Sequence, residues 1–187
     1  MADNPFSADP VVSKFIEHLA NLTEAKEAFE ETYKAAIKPG LKALKAAAKK
    51  HGLLLGWAMA GPGKDHYGGR YWKLSVQPPP GKGEKPKPIP IVRVFLGWWS
   101  YEHDGRDQAR IALSVEEYVN DALVDDLDAR LRAVCSGYRE GGVGKPFLYE
   151  SRPLATSTED PIAPMLPVIK AVVEATAQVG ASALEAA

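Results

Sequence analysis

The spacing of the apolar residues changes along this 187-residue chain, and the change limits the folds that it can adopt. Over residues 10–51 apolar residues recur every three or four positions, which is typical of amphipathic helices. Over residues 53–115 they alternate with their neighbours, which is typical of strands. Residues 116–187 return mainly to helical spacing. Runs of helices and runs of strands, without strict alternation of the two, favour an α+β fold.

The predicted architecture is an antiparallel four- to five-stranded meander sheet with N-terminal helices and two C-terminal helices. We expect the whole chain, residues 1–187, to form a single domain. Three N-terminal helices are expected, because Asn21 and Glu24 resemble a capping box and Pro39-Gly40 should break or kink the helix that follows. The third of these helices should end near Gly52.

Four strands are predicted in the middle of the chain, and two of them are joined by the Asp104-Gly105 turn. The strands are residues 53–60, 70–77, 91–101 and 109–115. Pro78 to Pro90 contains six prolines and should be an exposed loop. Ser114 and Glu117 form a possible capping box for a helix that ends near Gly137. Residues 147–152 are a possible fifth strand, and residues 168–184 a last helix.

Composition narrows the class of protein. Hydrophobic residues make up 45% of the chain, which excludes wholesale disorder. Cys135 is the single cysteine, so no intrachain disulfide can form and a reduced, cytoplasmic setting is expected. Its position on the buried face of a helix predicts a packed thiol rather than a nucleophile. No apolar run approaches the roughly 20 residues of a spanning helix, so we expect no membrane partner.

The charges are segregated along the chain although the net charge is only −1. Residues 1–37 hold three basic and seven acidic side chains, net −4, and residues 94–187 hold eight and fifteen, net −7. Residues 38–93 hold twelve basic and two acidic side chains, net +10. We therefore expect a non-enzymatic binding protein that engages an anionic macromolecule through this basic segment. The predicted binding residues are Lys38, Lys42, Lys45, Lys49, Arg70, Tyr71, Trp72 and Lys73.

Several alternatives remain open at this point. The anionic partner is either nucleic acid, whose phosphates and bases suit lysines near aromatic rings, or an acidic protein face. A protein–protein adaptor or inhibitor is a related hypothesis. The basic and acidic segments can also pack as neighbours and cancel, since lysine stripes are usually solvated faces.

An enzyme is the alternative from another class. His103 lies among the polar residues of the turn at Glu102–Asp107, and His66 lies in another predicted hairpin loop that should share its end of the sheet. Such groups can hold a divalent metal, which makes a metal-dependent hydrolase the second hypothesis. The segment 141–145 lacks the first glycine and the final Ser or Thr of a phosphate-binding loop. We expect no cofactor.

Overall fold

The computed structural model describes residues 10–58, 67–80, 86–103, 106–117, 121–137, 139–140, 147–154 and 158–185. The chain divides into two compact units, Met1–Ala36 and Ile37–Ala187. The predicted sheet and the C-terminal helices belong to the second unit. That the whole chain is one domain stays a prediction.

One long helix, α1 (Pro10–Lys50), replaces the three helices expected at the N-terminus. The helix runs through Asn21, whose predicted capping role is wrong, and Thr23 Oγ1 donates to the Leu19 carbonyl one turn back, at 3.0 Å. Pro39 also lies inside α1. Proline has a helix-compatible φ, but it lacks the N–H donor and its ring crowds the Ala35 carbonyl one turn back; packing in the following turns can outweigh this cost. α1 ends at Lys50, and Gly52, just beyond it as expected, has a φ of 69° that glycine tolerates best.

Within the described ranges, six antiparallel strands form one sheet in the order β1-β2-β3-β4-β6-β5. This confirms the predicted α+β class with its antiparallel meander and two C-terminal helices, and adds a two-residue edge strand. The strands are β1 (Leu54–Ala58), β2 (Tyr67–Val76), β3 (Ile89–His103), β4 (Arg106–Glu117), β5 (Arg139–Glu140) and β6 (Phe147–Pro153). The helices that follow the meander are α2 (Asp121–Val134) and α3 (Met165–Glu185).

The β3–β4 hairpin agrees with the predicted pairing. Its register extends to His103 opposite Arg106, and the turn residues 104–105 themselves lie outside the described residues. Val94 and Ile111 are both buried, as expected for one shared core. Residues 91–101 are strand throughout.

Two predicted boundaries are wrong. Ser114 and Glu117 do not cap a helix, since β4 continues to Glu117 and α2 begins at Asp121. The proline loop is also shorter than expected, because its last two residues, 89 and 90, already belong to β3. Pro90 lies opposite Ser75, beside a register shift, which is the kind of irregularity where a sheet tolerates proline.

The core lies between one face of the sheet and two helical segments. This first face carries the apolar side chains Leu74, Val92, Val94, Leu96, Leu113, Val115 and Phe147, all of them buried. Residues 37–50 of α1 approach it at Gly40, and α3 approaches it at Gly180. Leu127 and Leu131 bury one side of α2, Cys135 directly after it is buried as well, and Val134 is exposed. Among the described helices, none combines the length and apolarity needed to cross a bilayer.

Candidate functional site

Four of the predicted binding residues form a line on α1. Lys38, Lys42, Lys45 and Lys49 are all exposed, and we call them the lysine row. Their spacing of four, three and four residues keeps them on one side of the helix, over a length of about 16 Å. The other side of the same segment packs into the core through Ile37, Leu44 and Ala48. Burial of that side therefore fixes the lysine row toward solvent.

One lysine of the row meets a predicted aromatic residue. The Lys45 ammonium lies 5.7 Å from the centroid of the half-buried Trp72 ring, which is within the range of a cation–π contact. Trp72 lies on the first face of the sheet, opposite Val94. Its indole N–H is buried and has no acceptor among the described residues. The contact joins the row to the sheet and limits the positions open to the Lys45 side chain.

No ion pair links the lysine row to a carboxylate within the described part of the chain. Two described acids of α2 have partners closer by. Arg130 Nε lies 3.0 Å from Asp126 Oδ1, and Arg132 Nε lies 2.7 Å from Asp128 Oδ2. These residues thus give no support to the expectation that the charges of the basic and acidic segments neutralise each other by pairing. The lysine row retains its positive charge.

The remaining predicted residues lie elsewhere on the sheet. Tyr71 and Lys73 alternate with Trp72 and therefore belong to the second face, the one opposite the core helices. Both are half-buried. Arg70 lies in β2, but its side chain is outside the described residues. The structure thus brings the lysine row and Trp72 together and separates them from Tyr71 and Lys73.

Residues that the sequence analysis did not single out surround Tyr71 on the second face. The Arg93 guanidinium carbon lies 4.8 Å from the centroid of the Tyr71 ring, and the Phe95 ring centroid lies 5.0 Å from it. Both residues come from β3 and face β2 because Tyr71 pairs with Phe95 and Lys73 with Arg93. Alternation within each strand was visible in the sequence, but this cross-strand register was not.

A half-buried ion pair lies on the neighbouring strands of the same face. Arg110 Nη1 lies 3.8 Å from Glu150 Oε2, with the Glu150 side chain only 6% exposed. Arg110 Nη1 also donates to the Ser151 carbonyl at 3.2 Å, and Ser151 Oγ accepts from the Ile111 amide. These bonds satisfy a charge that would be costly to bury alone, which indicates a structural role between β4 and β6.

The residues of the hydrolase hypothesis are mostly outside the described part of the chain. His66 is not described, and His103 is the last residue of β3, with its side chain undescribed. Among the described residues no three His, Cys, Asp or Glu side chains form a group able to hold a metal.

Cys135 is buried, as expected, and this burial raises the pKa of its thiol. Since the thiolate is the reactive form, burial makes Cys135 a poor nucleophile.

Known proteins add no constraint to this geometry. Comparison of the chain with protein-family models, with curated proteins and with solved structures finds no match.

Proposed function

We propose that the protein binds nucleic acid through the sugar–phosphate backbone, and that the lysine row is the contact surface. The observation that supports this most is the row itself: four exposed lysines on one side of a helix whose other side is fixed in the core. Within the described residues, none of the four forms an ion pair. Their charge is therefore available to a partner.

The row suits a regular polyanion better than a folded acidic protein. Phosphates repeat at about 3.4 Å of helix axis along each strand, so a row of about 16 Å spans roughly five of them. Acidic side chains on a protein surface have no such fixed repeat. Lysine offers a point charge rather than the planar fork of arginine, which favours backbone contact over base reading. Binding should therefore depend little on sequence.

Trp72 is the one predicted aromatic residue that this proposal retains. Its half-buried ring lies beside Lys45 and supplies contact area next to the charge. Tyr71 and Lys73 lie on the opposite face of the sheet and are not needed for the contact.

The cytoplasmic setting expected from the single cysteine belongs to the same proposal, because nucleic acid is accessible there.

The test is a binding titration with fluorescently labelled DNA and RNA, single-stranded and duplex, at low salt. The variant K42Q/K45Q/K49Q removes three charges of the row. The matched control, K14Q/K34Q/K170Q, removes three exposed lysines from other positions and changes the net charge equally. We expect the row variant to bind at least about a hundredfold more weakly than the unmodified protein, since each lost phosphate contact costs about tenfold at low salt. The control should bind within about threefold of it.

Competition with polyglutamate separates the two kinds of anionic partner. If polyglutamate displaces the labelled nucleic acid as effectively as unlabelled DNA does, the row recognises acidic chains in general and the nucleic-acid proposal is wrong. Equal weakening of the row variant and the control contradicts the assignment of the site. The melting temperature of each variant shows whether the fold is retained.

A further inference from the structure

The first unit of the chain carries a heptad pattern that the nucleic-acid proposal does not use. Because α1 is continuous through residues 20 and 21, the apolar residues before and after this point share one phase. Residues on this phase are spaced alternately three and four positions apart, which is the a/d pattern of a coiled coil. They are Val12, Phe15, Leu19, Leu22, Lys26, Phe29, Tyr33 and Ala36.

The centre of this heptad face is exposed. Phe15 is 56% exposed, Leu19 48% and Leu22 54%, which is unusual for three large apolar side chains in successive turns. Further along the helix, Phe29 stacks on Tyr33 with ring centroids 6.3 Å apart. A helix usually owes most of its stability in water to a packed apolar face, so a stripe of this length indicates a packing partner.

We propose that the partner is a second copy of this chain and that residues 12–36 of two copies form an antiparallel coiled coil. The exposed apolar area of the heptad face is sufficient for a specific dimer interface. Phe15, Leu19, Leu22 and Phe29, at 37–56% exposure, present on the order of 350 Å² of apolar surface per copy. Two copies would bury about 700 Å² of it, and since interfaces are roughly 60% apolar, the total is about 1,200 Å². A specific interface needs about 1,200–2,000 Å².

The flanking positions favour a second copy over a different helix. Charged residues at e and g normally select the partner of a coiled coil. Here the e and g residues near the middle of the segment are Thr23, Ala25, Glu30 and Thr32, of which only Glu30 is charged. The three small residues permit close approach of an identical helix, and the two Glu30 side chains lie far apart when the helices are antiparallel. An isologous contact of this kind closes as a two-fold dimer.

Lys26 sets the direction of the two helices. It occupies an a position, and a parallel pairing would place the two Lys26 ammonium groups at the same level of the seam. An antiparallel pairing centred near residue 24 instead places Lys26 opposite Leu22. The same alignment places Leu19 opposite Phe29 and Phe15 opposite Tyr33, and it uses the whole heptad segment.

A membrane surface is a poor occupant for this face. Interfacial helices carry lysine and arginine on their polar side, which attract anionic lipids. Here the acids on the outer side of the described helix, Glu24, Glu27 and Glu31, outnumber its lysines, Lys14 and Lys34, and the neighbouring Glu30 is exposed as well. These acids would be repelled by such a surface, whereas they remain in water around a coiled coil.

The test measures the mass of the full chain in solution by sedimentation equilibrium through the micromolar range. We expect twice the mass of the 20.2 kDa chain for the unmodified protein and for the control A28E/A35E, which adds two acids on the outer side of α1. The variant L19E/L22E should sediment at the mass of one chain. A monomeric unmodified protein overturns the proposal, and so does a dimer that L19E/L22E leaves intact.

Further variants keep the test decisive if L19E/L22E fails to fold. K26L removes the charge from the seam and should tighten the dimer at least about tenfold. In a C135A background, chains carrying L19C and chains carrying F29C should form a disulfide with each other and not with themselves. Unchanged affinity of K26L, or disulfides of L19C chains with each other, contradicts the antiparallel alignment.

Discussion

Two glycines set how closely the helices approach the sheet. A Cβ added at Gly40 would lie 3.1 Å from Leu96 Cδ2, and one added at Gly180 would lie 2.5 Å from Val76 Cγ1. Gly40 therefore serves the close contact of α1 with β3 rather than the helix break that its pairing with Pro39 suggested. Glycine costs about 1 kcal/mol in a helix interior, and the close packing on the sheet offsets this cost.

Alanine at the two positions should have different effects. Gly180→Ala should lower the free energy of unfolding by about 1–2 kcal/mol, because the branched Val76 side chain has little room to move and overpacking outweighs the gain in helix propensity. Gly40→Ala is tight only against the far end of the Leu96 side chain, with Ile162 and Ile169 at ordinary contact distance, so its change should stay below about 1 kcal/mol. Urea denaturation measures both. A Gly180→Ala protein at least as stable as the unmodified one would show that α3 does not approach β2 this closely.

Some features of the candidate site could be predicted from the sequence pattern alone, whereas others depend on the tertiary structure. The exposure of Lys38, Lys42, Lys45 and Lys49 followed from helical spacing alone, because the apolar stripe of the same segment fixes the buried side. The contact of Lys45 with Trp72 joins α1 to β2 and needed the tertiary structure. Tyr71 and Trp72 are adjacent in sequence and lie on opposite faces, so their grouping into one surface conflicts with strand alternation.

At the scale of elements, long-range strand pairing outweighed a local capping signal. Ser114 and Glu117 have the spacing of a capping box, but Val115 pairs with Val94 on one side and Phe147 on the other. A buried position between two strands stabilises more than a cap at an exposed helix end, which contributes about 1 kcal/mol. The alternation of residues 91–115 made the sheet predictable, whereas the end of β4 depended on partners distant in the chain.

Pro39 tests the continuity of α1. Pro39→Ala should raise the free energy of unfolding by about 1–3 kcal/mol, because alanine restores a donor to the Ala35 carbonyl and removes the clash of the ring with it. Pro167→Ala is the matched control, since this exposed proline lies in the first turn of α3, where no helical N–H bond is lost. Thermal or urea unfolding gives both values. Destabilisation by Pro39→Ala would mean that packing requires a bend at this position.

The proline loop tests the boundary of β3. Gln77 Nε2 donates to the Pro86 carbonyl at 2.9 Å, which closes the base of the loop. Replacing residues 79–85 with a Gly-Ser segment of equal length keeps that bond and should shift Tm by less than about 3 °C, or about 1 kcal/mol for a chain of this size.

Extending the replacement through residue 90 removes the pairing of Ile89 with Val76 and should lower Tm further. If the shorter replacement lowers Tm just as much, residues 79–85 contribute packing of their own.

At the scale of the whole molecule, charge is segregated although the net charge is −1. The row lies on α1 within the second unit, and the proposed coiled coil uses the first unit. A dimer would carry two lysine rows, so that a long nucleic acid engaged by both would gain avidity without new contacts. Loss of the dimer should then weaken binding to long nucleic acids more than binding to short ones.

The salt dependence of nucleic-acid binding measures the number of phosphates that the protein neutralises. Four lysines on one backbone predict a slope of log K against log salt concentration of about −3 to −4 for the unmodified protein. K42Q/K45Q/K49Q should reduce the slope to about −1, while K14Q/K34Q/K170Q leaves it unchanged. Absence of binding at low salt, or a slope that the row variant does not change, would contradict the assignment of the lysine row as a polyanion-binding surface.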